Sequence, residues 1–307
     1  VIMNINIIIP NYNGAELLEK NVPSVLKAAK QFENTEVIVV DDASTDSSKE
    51  VLSQFKEVHL LENSRNMGFA RSINKGVDHS KGDVVVLLNS DVRPEVDFIK
   101  PLLDHFENDK VFAVACLDKS IEDGKTVERG RGIGTWSRGF FVHNAGSLDK
   151  STTLWASGGS SAFRRSMWES LGGFRTFYKP FYWEDIDLSY RAWKMGYEVD
   201  FEEKSIVIHE HEEGSIKKQF SPFFIKTIAY KNQFLFVWSN IRNSGYILDH
   251  LVWLPYHLIR SLMSADFAFV FGFLKATLQI PEIIFSNSRS NYKQIKSDKE
   301  IINNFLK

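Results

Sequence analysis

The sequence predicts an α/β fold with a mostly parallel sheet flanked by helices. Runs of strand length alternate with helical patterns through the N-terminal third. Val84-Val85-Val86-Leu87-Leu88 is apolar without a break, the mark of a strand buried on both faces. The strands end abruptly in polar turns, and this one ends at Asn89-Ser90-Asp91. In such sheets ligands bind outside the carboxyl ends of the strands, so Asp91 is the first candidate for chemistry.

Taken in order, Ile5 to Ile9 is a strand ending at Pro10-Asn11-Tyr12-Asn13-Gly14, and residues 15–31 follow a helical pattern. Residues 36–40 form a second strand ending at Asp41-Asp42-Ala43-Ser44-Thr45-Asp46, where Ser44 or Thr45 can cap a helix reaching about Phe55. A short strand at 58–61, a helix at 68–79, the 84–88 strand, a helix at 95–106 and a strand at 111–116 complete the alternation. Such alternation means βαβ units with right-handed crossovers.

Composition narrows the function. A chain of 307 residues, 43% of them hydrophobic, can bury a large core. Its formal charge of -2 gives no global pull toward nucleic acid. The single cysteine, Cys116, excludes an internal disulfide, suits a reducing compartment, and reads as a buried inert thiol. No signal peptide is visible, and no apolar stretch has the length of a clean membrane span; the region 247–285 is interrupted by Asp249, Arg260, Asp266 and Lys275. The expected location is therefore cytoplasmic.

The first strand is followed by one glycine, Gly14, so a dinucleotide fingerprint is absent, and so is a Walker A loop. Nucleotide phosphates here would need another counter-charge, and a metal on Asp91 is the candidate. A second acidic cluster, Trp183-Glu184-Asp185-Ile186-Asp187, opens a helix. Asp187 lies four residues before Arg191, the spacing of an intrahelical ion pair, which favours a structural role. Asp185 points to a different face, where it can serve either as an N-terminal cap or as a base.

The ordered set Ile9 to Asn13, Val39 to Asp46, Asn66-Met67-Gly68-Phe69-Ala70, Asn89-Ser90-Asp91, Ala156-Ser157-Gly158-Gly159, Trp183 to Leu188 and His209 to Ser215 resembles the family 2 inverting glycosyltransferases. In particular it is similar to bacterial rhamnosyl- and glycosyltransferases of surface polysaccharide synthesis. The resemblance implies a GT-A-type, Rossmann-like catalytic domain over residues 1–215. Its nucleotide-binding half would be about 1–117 and its acceptor half about 118–215. One departure is that the metal motif reads Asn-Ser-Asp, leaving Asp91 as its only carboxylate.

The resemblance implies transfer of a sugar from a UDP- or dTDP-linked donor to a hydroxyl of a glycan or polyprenyl-linked acceptor. A divalent cation, Mn²⁺ or Mg²⁺, would stabilise the leaving diphosphate. A carboxylate across the sugar must take the acceptor's proton, and the position matching the family's base is Asp185. His209, ending an apolar strand as Asp91 does, would be the second metal ligand, with His211 as the alternative imidazole. Pro10, Asn11, Tyr12, Asp41, Asp42, Arg71, Asn89 and Ser90 would bind the donor nucleotide. Trp155, Gly158, Gly159, Trp183 and Glu184 would meet sugar or acceptor. A nucleotidyltransferase of similar fold and a catalytically silent glycan-binding protein are the alternatives.

Residues 119–150, rich in glycine and charge, read as a mobile excursion over the cleft. From 216 to 307 the chain becomes helical and aromatic-rich, with Pro255 as a kink. Those helices are expected either to pack, on the catalytic domain or in a homodimer, or to rest peripherally on the inner face of a membrane.

Overall fold

The computed structural model describes residues 3–122, 124–210, 219–288 and 294–305. β1 (Ile5–Asn11), β2 (Thr35–Asp41), β3 (Val58–Glu62) and β4 (Val84–Leu88) pair in parallel, with β1 between β2 and β4. α1 (Ala15–Ala29), α2 (Ser48–Leu52) and α3 (Phe69–His79) connect them. Every residue of β4 is buried. Its alternate side chains feed two different cores. Val85 and Leu87 join Ile8, Ile38 and α3's Ile73 and Val77 on one face. Val84, Val86 and Leu88 join Ile7, Val39 and α1's Leu18 and Val22 on the other. A strand covered on both faces needs no polar alternation, which explains the unbroken apolar run.

After β4 the order departs from simple alternation. β5 (Val92–Pro94), α4 (Ile99–His105) and β6 (Val111–Glu122) follow in sequence, yet β6 does not pair with β4. β10 (Ser160–Arg164) inserts antiparallel between them, and β11 (Glu198–Glu210) runs parallel to β6 on its other side. β5 closes that edge antiparallel to β11. The serines of β10 disguise it as a loop, but Ser161, Ala162 and Phe163 are fully buried within the sheet.

The expected mobile excursion is instead regular structure. β6 continues to Glu122 and folds back as β7 (Lys125–Arg129), and β8 (Gly132–Ser137) pairs with β9 (Phe140–Ala145) as a separate hairpin. Arg129 is paired with Glu122, and Arg131 donates to the carbonyls of Thr152 and Ser147, so both guanidinium groups serve the fold.

α5 (Arg165–Leu171), a short 3₁₀ turn at Thr176–Tyr178 and α6 (Glu184–Lys194) precede β11. The remaining helices are α7 (Pro222–Asn240), α8 (Ser244–Met263), α9 (Phe267–Thr277), α10 (Ile280–Ser288) and α11 (Asp298–Asn304). α8 runs through Pro255 as one helix. Phe234 and Phe236 of α7 are buried in the same cluster as Phe140, Phe141, Trp183 and Tyr190. The C-terminal helices thus extend the core of the sheet domain.

The Asp187 carboxylate joins these parts. It is 0% exposed and accepts from Arg175 (3.1 Å), Tyr178 Oη (3.0 Å), Arg191 Nε (2.8 Å) and Asn240 Nδ2 (2.7 Å). Burial alone would raise its pKa, but the charges of Arg175 and Arg191 outweigh burial and hold it below the usual carboxylate value of 3.8. A depressed folded-state pKa stabilises above the unfolded pKa, and this contribution is lost as pH falls through the folded value. Asp187→Ala leaves two guanidinium groups buried without their counter-charge, and should lower unfolding free energy by about 3–5 kcal/mol in denaturant titrations. A loss below ~1 kcal/mol, the value of an exposed pair, would show the network to be dispensable.

Candidate active site

One cleft of about 470 Å³ opens at the carboxyl ends of β1 and β4, a size suited to a small ligand. Pro10, Asn11, Tyr12, Asp42, Asn89, Ser90, Asp91, Gly158, Gly159, Glu184, Asp185 and His209 all line it. Residues separated by up to two hundred positions are brought together because strand ends and a helix start converge there.

The nucleotide-side wall is built by turn chemistry. Asp41, expected at the nucleoside, is wholly buried and accepts from Asn11 Nδ2 (2.9 Å), Ser44 Oγ (2.5 Å) and Ser44 N (3.0 Å). Its carboxylate is consumed in fixing the turn, and it does not line the cleft. Asp42 does line the cleft, while accepting from the N–H groups of Met67 and Gly68, both at 2.8 Å. It therefore anchors the loop that precedes α3. Asp46 caps two helices, accepting from Ala15 N at 2.9 Å and Ser48 N at 3.1 Å. Arg71 is exposed on α3 and lies outside the cleft lining.

Asp91 follows β4. Its Oδ1 is buried and has no hydrogen-bond partner, an expensive state for a carboxylate oxygen. Its Oδ2 is 3.3 Å from Nε2 of His209, on β11. The other ring nitrogen, Nδ1, lies 3.1 Å from Asp118 Oδ2 on β6. The β6–β11 register sets His209 two residues past the Val207–Asp118 pair. Burial would lower the His209 pKa, but bonds to Asp118 and Asp91 outweigh it and push the pKa up to about 10. Without a metal Nε2 is therefore protonated toward Asp91; a cation bound there would displace that proton, and Nδ1–H donated to Asp118 would then leave Nε2 as the ligating nitrogen.

This donor set fits a divalent cation. Among the described residues no cluster of three or more His, Cys, Asp or Glu could enclose a metal. Mg²⁺- and Mn²⁺-type sites at phosphates commonly take only one or two protein ligands, the rest being phosphate and water oxygens. The unpartnered Asp91 oxygen and His209 Nε2 meet that requirement. His211 lies outside the described residues.

The opposite wall carries Glu184 and Asp185 at the start of α6. The helix is entered through Tyr182 and Trp183 at φ 71° and 78°, a left-handed backbone unfavourable for bulky residues. Asn232 of α7 holds this entry, its Nδ2 donating to the carbonyls of Tyr178, Phe181 and Tyr182 at 2.7–2.8 Å. Glu184 is 6% exposed; burial and the neighbouring Asp185 charge push its pKa up to about 8. Burial also raises Asp185, opposed by N–H donors from Ile186 (2.8 Å) and Gly158 (3.3 Å). At neutral pH Glu184 therefore keeps its proton, and of the two carboxyls it is Asp185 that the backbone N–H donors favour as the anion.

The glycines act locally. Gly158 supplies the N–H to Asp185, while a Cβ at Gly159 would come within 2.4 Å of the Asn89 amide. Trp183 is 5% exposed, with its ring among Phe141, His143 and Phe236, and so belongs to the core rather than to the cleft. Trp155 packs beneath Gly132 and against His143, outside the lining. Asp118 and the aromatic lining residues Phe69, Phe181, Tyr182 and Phe220 were given no site role by the sequence. Asp118 could be paired with His209 only through the long-range strand register. Cys116 is buried, and burial pushes its thiol pKa up to about 12.

The sheet order and the strand-end site define a GT-A-type fold. The model of "Glycosyl transferase family 2" matches residues 6–172, and the chain belongs to that family. The chain is similar to the putative teichuronic acid biosynthesis glycosyltransferase TuaG of Bacillus subtilis. Identity is 28% over 130 residues, covering 41% of this chain and 51% of TuaG. It is also similar to the O-antigen chain rhamnosyltransferase RfbN of Salmonella typhimurium, 26% identical across 68% of this chain and 67% of RfbN. Among solved structures, GalNAc-T7 with UDP, GalNAc and Mn²⁺ superposes with TM-score 0.63 at 20% identity, covering 80% of this chain and 49% of GalNAc-T7. The chain thus spans about half the length of TuaG and GalNAc-T7.

Two outcomes follow from this geometry. Asp91→Ala should abolish the Mn²⁺ dependence of nucleoside diphosphate binding in calorimetry. His209→Ala should weaken metal affinity less, and Asp118→Asn by about 10-fold; unchanged affinity in Asp91→Ala would remove that residue from the site. Separately, Glu184 keeps a proton in the folded state that the unfolded chain releases near its ordinary value of 4.5. Native protein then binds more protons between about 4.5 and 8, so stability falls as pH rises through that window. Glu184→Gln should flatten this decline in thermal melts, and an unaltered pH profile would contradict it.

Proposed function

We propose that the chain is an inverting, metal-dependent glycosyltransferase. It moves a sugar from a UDP- or dTDP-linked donor to a hydroxyl of a glycan or polyprenyl-linked acceptor in bacterial surface polysaccharide synthesis. The carrying observation is the division of labour between carboxylates on different elements of one cleft. Asp91 offers an unpartnered oxygen at a strand end, and Asp185, at a helix start in the same cleft, accepts from the backbone N–H groups of Gly158 and Ile186. The names of TuaG and RfbN support the polysaccharide assignment. The Mn²⁺ named with GalNAc-T7 supports a divalent metal, Mn²⁺ or Mg²⁺.

In this reading Tyr12 stacks on the nucleoside base, with Pro10, Asn11 and Asp42 framing it. Asn89 and Ser90 flank the diphosphate. Asp91 and His209 would hold the cation, which when bound supplies positive charge to the departing diphosphate. Asp118 fixes the His209 ring so that Nε2 faces the cleft. Asp185 accepts the proton of the attacking hydroxyl. Protonated Glu184 donates a hydrogen bond to an acceptor oxygen, and its neutrality keeps a second negative charge away from Asp185. The catalytic unit spans residues 1–215, and residues 216–307 support it. The protein works in the cytoplasm.

Asp185→Asn preserves shape but cannot accept a proton. Turnover should fall by at least ~10²-fold with donor affinity nearly unchanged. Glu184→Gln, which mimics the protonated acid, should retain most of the turnover. Wild-type turnover in Asp185→Asn would refute the assignment of the base.

A further inference from the structure

We propose that the outward face of α8, α9 and α10 rests on anionic membrane lipid, with the cleft mouth at the bilayer surface. This deepens the reading of a lipid-linked acceptor and, as a statement about substrate, rests on it. α8 packs His250, Leu254 and Leu258 inward and leaves Leu248, Val252, Ile259 and Leu262 between 57% and 66% exposed. Leu274 of α9 (49%) and Ile284 of α10 (65%) are exposed apolar residues on the next two helices. An apolar surface of this extent marks an interaction site. Among the described residues no single helix is long and apolar enough to cross a membrane. The α9–α10 pair passes that test only jointly, across a 51° bend. Such helices fit a surface that dips into lipid without spanning it.

The charges on these helices are sorted. Asp249 is turned inward, accepting from Trp136 Nε1 (2.7 Å) and Gly139 N (2.9 Å). Asp266 is occupied by Lys226 and Tyr230, both at 3.0 Å. Arg260 and Lys275 are exposed and have no carboxylate partner among the described residues, and the same holds for Arg138, whose guanidinium lies over Trp253 of α8. Glu282 on α10 is exposed and offsets one of these charges. Arg260 also rims a shallow hollow of about 320 Å³ floored by Tyr256, Ile259 and Met263, an apolar pit beside a cation. That combination accepts an acyl chain together with a phosphate headgroup. A two-fold partner would instead bury Arg260 and Lys275 against an equally basic copy of the same face.

The apolar face also adjoins the cleft. Phe220 lines the cleft and stacks on Phe224 at 5.0 Å, and the adjacent Phe223, 51% exposed, meets Phe271 of α9 at 6.1 Å. An acceptor anchored in the same lipid would thus carry its sugar to Glu184 and Asp185 across this aromatic edge.

The test is co-sedimentation of the full chain with vesicles of phosphatidylcholine, alone or mixed with phosphatidylglycerol. The protein should pellet with mixed vesicles and be partly released by high salt, since screening weakens only the charge contribution. Arg260→Gln with Lys275→Gln should lower partitioning about 30-fold. These exposed substitutions leave the core untouched, so they test the idea even where Leu251→Ser, Ile259→Ser and Leu262→Ser together fail to fold. The idea is overturned by protein that stays in the supernatant with mixed vesicles. A dimer in light scattering that the triple variant reduces to monomer overturns it as well. Mn²⁺-dependent UDP binding, measured without vesicles, reports separately on the glycosyltransferase reading. Vesicle binding without nucleotide binding would sink that reading and support the lipid face.

Discussion

The position of the candidate base depends on a buried carboxylate two residues away. Asp187 gathers Arg175, Tyr178, Arg191 and Asn240, and so ties the 3₁₀ turn, α6 and α7 into one rigid corner. Breaking a buried, hydrogen-bonded charge pair is far more costly than its formation is favourable, so the corner is well specified. Asp298 adds a second tie, meeting Lys194 at 3.0 Å and accepting from Tyr190 and from the N–H groups of Arg242 and Asn243, each at 2.7 Å. The helices after residue 222 thereby become part of the machinery. Asn232 holds the strained entry to α6, and Asn240 completes the Asp187 shell.

With α6 fixed, electrostatics separates two adjacent carboxyls. Burial and the neighbouring Asp185 charge push the Glu184 pKa up to about 8, while backbone donors from Ile186 and Gly158 oppose the effect of burial on Asp185. Across the cleft, the chain Asp118–His209–Asp91 leaves one carboxylate oxygen without a protein partner. A buried unsatisfied oxygen is costly unless a ligand meets it, which is the physical basis for placing a cation there.

The parallel half of the sheet was legible because its signals are local. An apolar run such as Val84 to Leu88 and a polar turn such as Asp41 to Asp46 declare themselves within a few residues. What was hidden depends on distant pairing. β10 carries serines into the middle of the sheet, and Asp118 meets His209 only through the β6–β11 register. Asp187 could be read as structural from its spacing to Arg191, but Arg175 and Asn240 lie on other elements. Asp41 and Asp42 look equivalent in sequence, yet one closes its own turn and the other borders the cleft. Trp183 was expected to meet sugar or acceptor from the family resemblance. Its left-handed backbone turns the ring into the core instead.

The central claim is that the Asp91 and His209 corner holds a divalent cation that meets the donor diphosphate. Crystals grown with Mn²⁺ and a nucleoside diphosphate, measured for manganese anomalous scattering, test it most directly. The account predicts one strong peak between Asp91 Oδ1 and His209 Nε2, with diphosphate oxygens completing its coordination. Diphosphate bound in the cleft with no anomalous peak at that corner, or a metal held elsewhere, would contradict it.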